Sequence, residues 1–138
     1  MKTLAVLLLA LSPVEGPALS SVEGLLAAQE VDHTKDSLDT VKAALAKKDA
    51  VLVDVREQSE WDQGHLEGAV LLPLSWLKGE SGDKMSEKLP VGKVIYLHCR
   101  SGRRVLTAAP LLKKAGFDVR PLKAGFDELK DAGFPVAK

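Results

Sequence analysis

The single cysteine of this 138-residue chain, Cys99, lies in the stretch HCRSGRR (98–104), with Arg100, Arg103 and Arg104 within five positions of it. A thiol reacts as its thiolate, and nearby cations favour that ionised form. Gly102 lets the backbone turn through angles that other residues resist. Successive N–H groups in such a turn converge into a nest for an anion. A helix starting near Arg103 would add the partial positive charge of its unpaired donors. All of these effects push the same way, so Cys99 is expected to be an acidic, nucleophilic thiol. Arg100, Ser101, Gly102, Arg103 and Arg104 then form a cup for a small anionic substrate. The competing reading is a small cysteine buried at a strand end, because free cysteine is among the most buried residue types. Such a filler has no use for a glycine and three arginines around it.

Other residues capable of chemistry give weaker signals. His33, His65 and His98 are widely spaced and share one cysteine between them, which is no metal-ligand pattern. No metal or organic cofactor is expected. His98 directly precedes Cys99, and strand alternation sends its side chain to the opposite face, where it packs rather than acts as a base. Asp54 and Arg56, in VDVR, fall on the same sheet edge as Cys99. They are read as a salt bridge or turn support, and with His65 as candidates for supporting the pocket. Trp61 and Trp76 either wall that pocket or fill the core.

The elements that must position these residues alternate. Thr34 or Asp36 can cap a helix carrying Leu38, Val41, Ala44 and Leu45 on one stripe. AVLVDV (50–55) and VIYLH (94–98) are near-continuous apolar runs, the pattern of strands covered on both faces. The polar stretch from Arg56 leads to AVLLPL (69–74), read as a strand ended by Pro73, and WLKGESGDKMSEKLPVGK (76–93) reads as mostly loop with one helical turn. The Lys- and Glu-rich part, 78–88, is expected to be solvated surface. RVLTAAPLLKKAG (104–116) is helical in pattern, with Gly116 as its left-handed cap and Pro110 as an unexplained interruption. VRPL (119–122) suits an edge strand, since Pro121 lacks a donor, and 125–133 suits a short last helix. Strands alternating with helices give an α/β fold: a short central parallel sheet with helices on both faces. Ligands of such sheets sit beyond the carboxyl ends of the strands, where Cys99 falls.

Lys+Arg and Asp+Glu number 19 each and are scattered, so no basic face argues for nucleic acid. Lys2 followed by LAVLLLAL (4–11) has the length of a secretory leader and is much too short to span a bilayer. Residues 1–28 are therefore read as signal peptide and linker, cut after Ser20 or Ala28, with one domain over 29–138 and no stable membrane insertion. LSPVEG (11–16) recurs as LSSVEG (19–24), a linker duplication too short to build a solenoid.

The motifs VDVREQSEW (53–61), GHLEGAVLLPL (64–74) and LHCRSGRR (97–104), followed by LLKKAGF (111–117), resemble those of single-domain rhodanese-like sulfurtransferases. Among these the chain is most similar to the small periplasmic phage-shock type. The resemblance implies the rhodanese-like three-layer fold, export to a bacterial periplasm and a catalytic persulfide carrier at Cys99. It also implies a substrate cradle of loop amides over 100–104 and Arg100 as a thiosulfate contact. Sulfane sulfur would pass from thiosulfate to cyanide, a thiol or a thioredoxin-like protein. In this family His65 more often orders a turn than performs chemistry. Two features depart from the family pattern. Gly125-Phe126 stands where a Gly-Gly pair usually precedes the last helix, and Pro110 is unusual behind the loop. Two alternatives stay open. One is a cysteine-dependent phosphatase or arsenate reductase, whose loop needs five residues between cysteine and arginine, where Cys99 and Arg104 leave four. The other is a non-catalytic sulfur-relay or binding module of the same fold.

Overall fold

The structure, a computed structural model, describes residues 31–79 and 81–138; the expected leader over 1–28 lies outside them. Four parallel strands form one sheet in the order β2-β1-β3-β4. They are β1 (Ala50–Asp54), β2 (Val70–Leu71), β3 (Val94–His98) and β4 (Asp118–Pro121). The two apolar runs are the central strands, paired along their whole length from Ala50 opposite Val94 to Asp54 opposite His98. Their alternating side chains feed two cores. Val53, Ile95, Leu97 and Cys99 enter one face, together with Val105, Ala108 and Leu112 of the helix α5 (Arg104–Lys114). Leu52 and Tyr96 enter the other, with Val41 of α1 (Leu38–Ala46) and Leu129 of α6 (Phe126–Asp131). A sheet covered on both faces needs such unbroken apolar runs, and the expected α/β architecture is observed.

Several boundaries differ from the expectation. Helix α1 is capped by Ser37, whose hydroxyl accepts the Thr40 N–H at 3.1 Å, not by Thr34 or Asp36. The polar stretch after β1 contains a helix, α2 (Gln58–Asp62), started by a capping box between Glu57 and Glu60. A cap built on Glu57 is not the Ser/Thr/Asp/Asn signature. β2 keeps only two residues of the expected 69–74 run. Pro73 has no N–H to give, and its carbonyl instead takes the Leu77 N–H at 3.0 Å, opening α3 (Leu74–Gly79). Residues 76–93, read as mostly loop with one helical turn, also hold α4 (Gly82–Lys88). Each of these helices buries a single side chain, Leu77 and Met85, so neither shows an apolar stripe. The described residues of the 78–88 segment are otherwise exposed, as expected.

Helix α5 runs through Pro110, which withholds the N–H that the Leu106 carbonyl would receive; nothing in the structure explains the proline. Gly116 follows it at φ 98°, as a left-handed cap. β4 is an edge strand, and Pro121 ends it. Among the described residues no helix is long and apolar enough to cross a membrane.

Candidate active site

β3 ends at His98, and strand alternation carries the next side chain, Cys99, into the core face opposite that of His98. Cys99 is fully buried, as a filler cysteine would be, yet one N–H is turned onto it. The Gly102 amide donates to its Sγ at 3.1 Å. Gly102 adopts φ 82°, and a Cβ there would lie 2.5 Å from the Lys123 carbonyl oxygen. A Cβ on Gly125 would collide with the Arg100 carbonyl. The loop 99–104 and the segment 122–126 therefore touch backbone to backbone, and the Phe126 N–H donates to the Cys99 carbonyl at 2.9 Å. The His33 ring, from the segment ahead of α1, bonds the Gly102 carbonyl through Nε2 at 2.6 Å. Among the described residues, the N–H groups of Arg100, Ser101, Arg103, Arg104 and Val105 have no protein acceptor. The glycine turn, the inward amide and the helix N-terminus expected from the sequence are thus brought together around the sulfur.

The three arginines are not all free to act on it, contrary to expectation. Arg104 grips Glu60 of α2 with two hydrogen bonds, at 2.6 and 2.9 Å, and Arg100 Nε lies 3.5 Å from the same carboxylate. The Arg104 hydrogen bonds hold the Glu60 carboxyl at about 2, against partial burial that works the other way. The same bonds push Arg104 further up, with the Cys99 charge among the smaller causes. Arg103 is exposed and makes no ion pair among the described residues. Ser101, also exposed, borders a cleft of about 420 Å³ with Thr34, Asp36, Lys123 and Glu128.

Asp54 and Arg56 form a buried bidentate pair, closest at 2.8 Å, and Arg56 also donates to the Gly64 carbonyl at 2.8 Å. This is the salt bridge expected of them, on the face away from Cys99. His98 completes the cluster with its Nε2 3.6 Å from Asp54, and burial pushes its pKa down despite that carboxylate. The Phe126 ring lies 4.2 Å from the Arg56 guanidinium carbon and stacks near His98. The bulk that replaces a second glycine therefore covers this cluster and leaves the sulfur's side of the sheet alone. His65 stacks on Trp61 with ring centroids 3.7 Å apart, and its Nδ1 lies 3.3 Å from the Trp61 carbonyl, which suits a turn-ordering residue. Trp76 packs against the core on the Cys99 face. Among the described residues no cluster of His, Cys, Asp or Glu could hold a metal ion.

Sequence reasoning missed Glu60 and His33. Glu60 meets Arg104 across 44 positions and His33 meets Gly102 across 69, so neither pairing has a local signal.

A family model for the rhodanese-like domain matches residues 37–132. A Mycobacterium tuberculosis protein described as "Probable adenylyltransferase/sulfurtransferase MoeZ" is 42% identical over 66 residues, which are 48% of this chain and 16% of that protein. The chain therefore spans a small part of that relative's length. The solution structure of the rhodanese-like domain from the Anabaena sp. Alr3790 protein is 28% identical, with a TM-score of 0.62, covering 77% of this chain and 80% of that one. The human single-domain sulfurtransferase TSTD1, 24% identical at a TM-score of 0.60 and covering 70% of this chain and 94% of that one, shares the fold.

Proposed function

The chain belongs to the rhodanese-like domain family, and from that premise we propose that it transfers sulfane sulfur through a persulfide on Cys99. The observation that carries this reading is the Gly102 N–H, 3.1 Å from the sulfur, in a glycine turn between a central strand and a helix N-terminus. An N–H on sulfur stabilises the thiolate and then the persulfide anion without any movement of a heavy ion.

The steps follow from thiol chemistry. The Cys99 thiolate attacks the outer sulfur of thiosulfate, the S–S bond of the donor breaks, and sulfite leaves with the bonding pair. The new outer sulfur carries the negative charge, next to the loop amides that have no protein acceptor among the described residues. Cyanide or a thiolate, including that of a thioredoxin-like protein, then attacks this sulfur and leaves as thiocyanate or a persulfide, restoring the Cys99 thiolate. Two half-reactions sharing one covalent intermediate give ping-pong kinetics. Because Cys99 is fully buried, each half-reaction requires a path to open to the sulfur.

The phosphatase reading loses support from the geometry, because Arg104 is committed to Glu60 and not to the cup. No hydrolysis of an aryl phosphate is expected. Mass spectrometry after thiosulfate treatment should find one added sulfur on Cys99, discharged by cyanide as thiocyanate. Cys99→Ser should show neither event, and undiminished thiocyanate production by that variant would refute the proposal.

A further inference from the structure

We propose that His33 is a positioning residue for the Cys99 cup: it fixes the Gly102 carbonyl and thereby sets the direction of the Arg103 N–H, a donor to the anionic group on the sulfur. This rests on the sulfur-transfer reading. The contact is short, 2.6 Å from Nε2 to the carbonyl oxygen. A carbonyl only accepts, so Nε2 carries the proton.

The consequence comes from the planar peptide. The Gly102–Arg103 bond is trans, since the described chain holds no cis peptide, and its C=O and N–H point in opposite directions. With the carbonyl held by His33, the Arg103 N–H must face the other way, and among the described residues it has no protein acceptor. The preceding peptide supplies the Gly102 N–H that sits on Sγ. Two consecutive peptide planes are thus fixed, one by the sulfur and one by His33. Glycine at φ 82° leaves the second plane otherwise free to rotate.

His33 is itself well anchored. The Thr34 N–H donates to the Pro121 carbonyl at 2.8 Å, which ties the strap formed by residues 31–37 to the end of β4. Asp36 accepts from the Tyr96 hydroxyl at 2.7 Å and from Arg120 at 2.8 Å, and Val31 packs on the core of the Cys99 face. The strap is held on both sides of the histidine, so its ring can transmit a fixed position to the loop.

The test uses the full-length chain and three variants. His33→Ala and His33→Asn, the latter too short to reach, should load sulfur from thiosulfate about tenfold more slowly, the worth of one hydrogen bond. His33→Gln, which places a donor near the Nε2 position, should recover to within about twofold. Iodoacetamide, a neutral reagent, should alkylate Cys99 in all three at least as fast as in the wild type, so the ratio of the two rates reports the anion cup and not general collapse. The Arg103 amide proton should shift in His33→Ala and return in His33→Gln. Loading at the wild-type rate in His33→Ala, or a failure of glutamine to restore it, overturns the proposal. If the wild type itself takes no sulfur from thiosulfate, the sulfur-transfer reading falls. The Arg103 amide then decides the strap alone, and an unmoved resonance overturns it.

Discussion

Glu60 governs how much positive charge reaches the sulfur. It binds Arg104 in a fork and draws Arg100 to 3.5 Å, so two of the three guanidiniums beside Cys99 are shared with a carboxylate. Bidentate charge-assisted bonds are the stronger kind, but both side chains keep partial exposure, at 22% for Glu60 and 29% for Arg104, and solvent weakens the pair. Glu60→Gln should therefore cost about 1 kcal/mol near neutral pH, read from urea unfolding. The folded carboxyl titrates at about 2 and the unfolded one near 4.5, so the unfolded chain binds the extra proton between those values. Stability from this group is full above pH 4.5 and is lost as pH falls toward 2. The gap between wild type and Glu60→Gln should close over that range, and a gap that persists at its lower end would show that the pair is not the cause. Gly125 is a second residue whose role is set by contact. A methyl group there meets the Arg100 carbonyl, so Gly125→Ala must push the loop from segment 122–126. A loss of about 1–3 kcal/mol is expected, as for overpacking of a core, together with slower thiosulfate loading. Neither role can be read from the residue type alone, because a glutamate in QSEW and a glycine before FDEL name no partner.

At the scale of the element, β3 does most of the positioning. Its alternation sends Leu97 and Cys99 to one face and His98 to the other, which was legible in VIYLHC because a doubly covered strand has few polar residues and they fall near its end. The helices α2, α3 and α4 left at most one helical turn legible: they are short and bury at most one side chain each, α2 and α3 start from a glutamate cap and a proline, and the Ser81 cap of α4 makes no side-chain bond. Helix periodicity needs several buried positions before it stands out. The placement of His98 has a measurable consequence. Its ring is buried and its Nε2 is without a hydrogen-bond partner, so burial lowers its pKa below the usual 6.5, with Asp54 opposing. Below pH 6.5 the unfolded chain takes up a proton on this histidine that the folded chain resists, so stability falls as pH drops. In urea unfolding between about pH 7.5 and 5, His98→Gln should be less stable overall but show a flatter pH slope than wild type. An equal slope would mean that His98 titrates alike in both states.

At the scale of the molecule, the two apolar runs at 50–55 and 94–98 were enough to imply a sheet with a core on each face, since no other arrangement buries both sides of a strand. The strap over 31–37 escaped the reading because its anchors, Pro121, Tyr96, Gly102 and Arg120, come from distant parts of the chain. The contacts to Pro121 and Gly102 lie at the carboxyl edge of the sheet, where the strap, the Cys99 loop and the segment before α6 close on one another. The charge of the molecule adds little to this edge from afar. Lys+Arg and Asp+Glu are equal at 19 each, so there is no global field to draw in a dianionic donor. Attraction must come from Arg103, from Arg100 at 59% exposure and from the loop amides, with Glu60 offsetting part of it. At about 0.1 M salt the screening length is about 10 Å, which covers these near contacts but not charges across the molecule. Loading of Cys99 by thiosulfate should accordingly slow by only about two- to threefold between about 0.02 and 0.2 M salt, and Arg103→Gln should remove most of that dependence. Stopped-flow rates across the salt series would decide it: a tenfold or steeper decline, unchanged in Arg103→Gln, would place the source of attraction outside the loop.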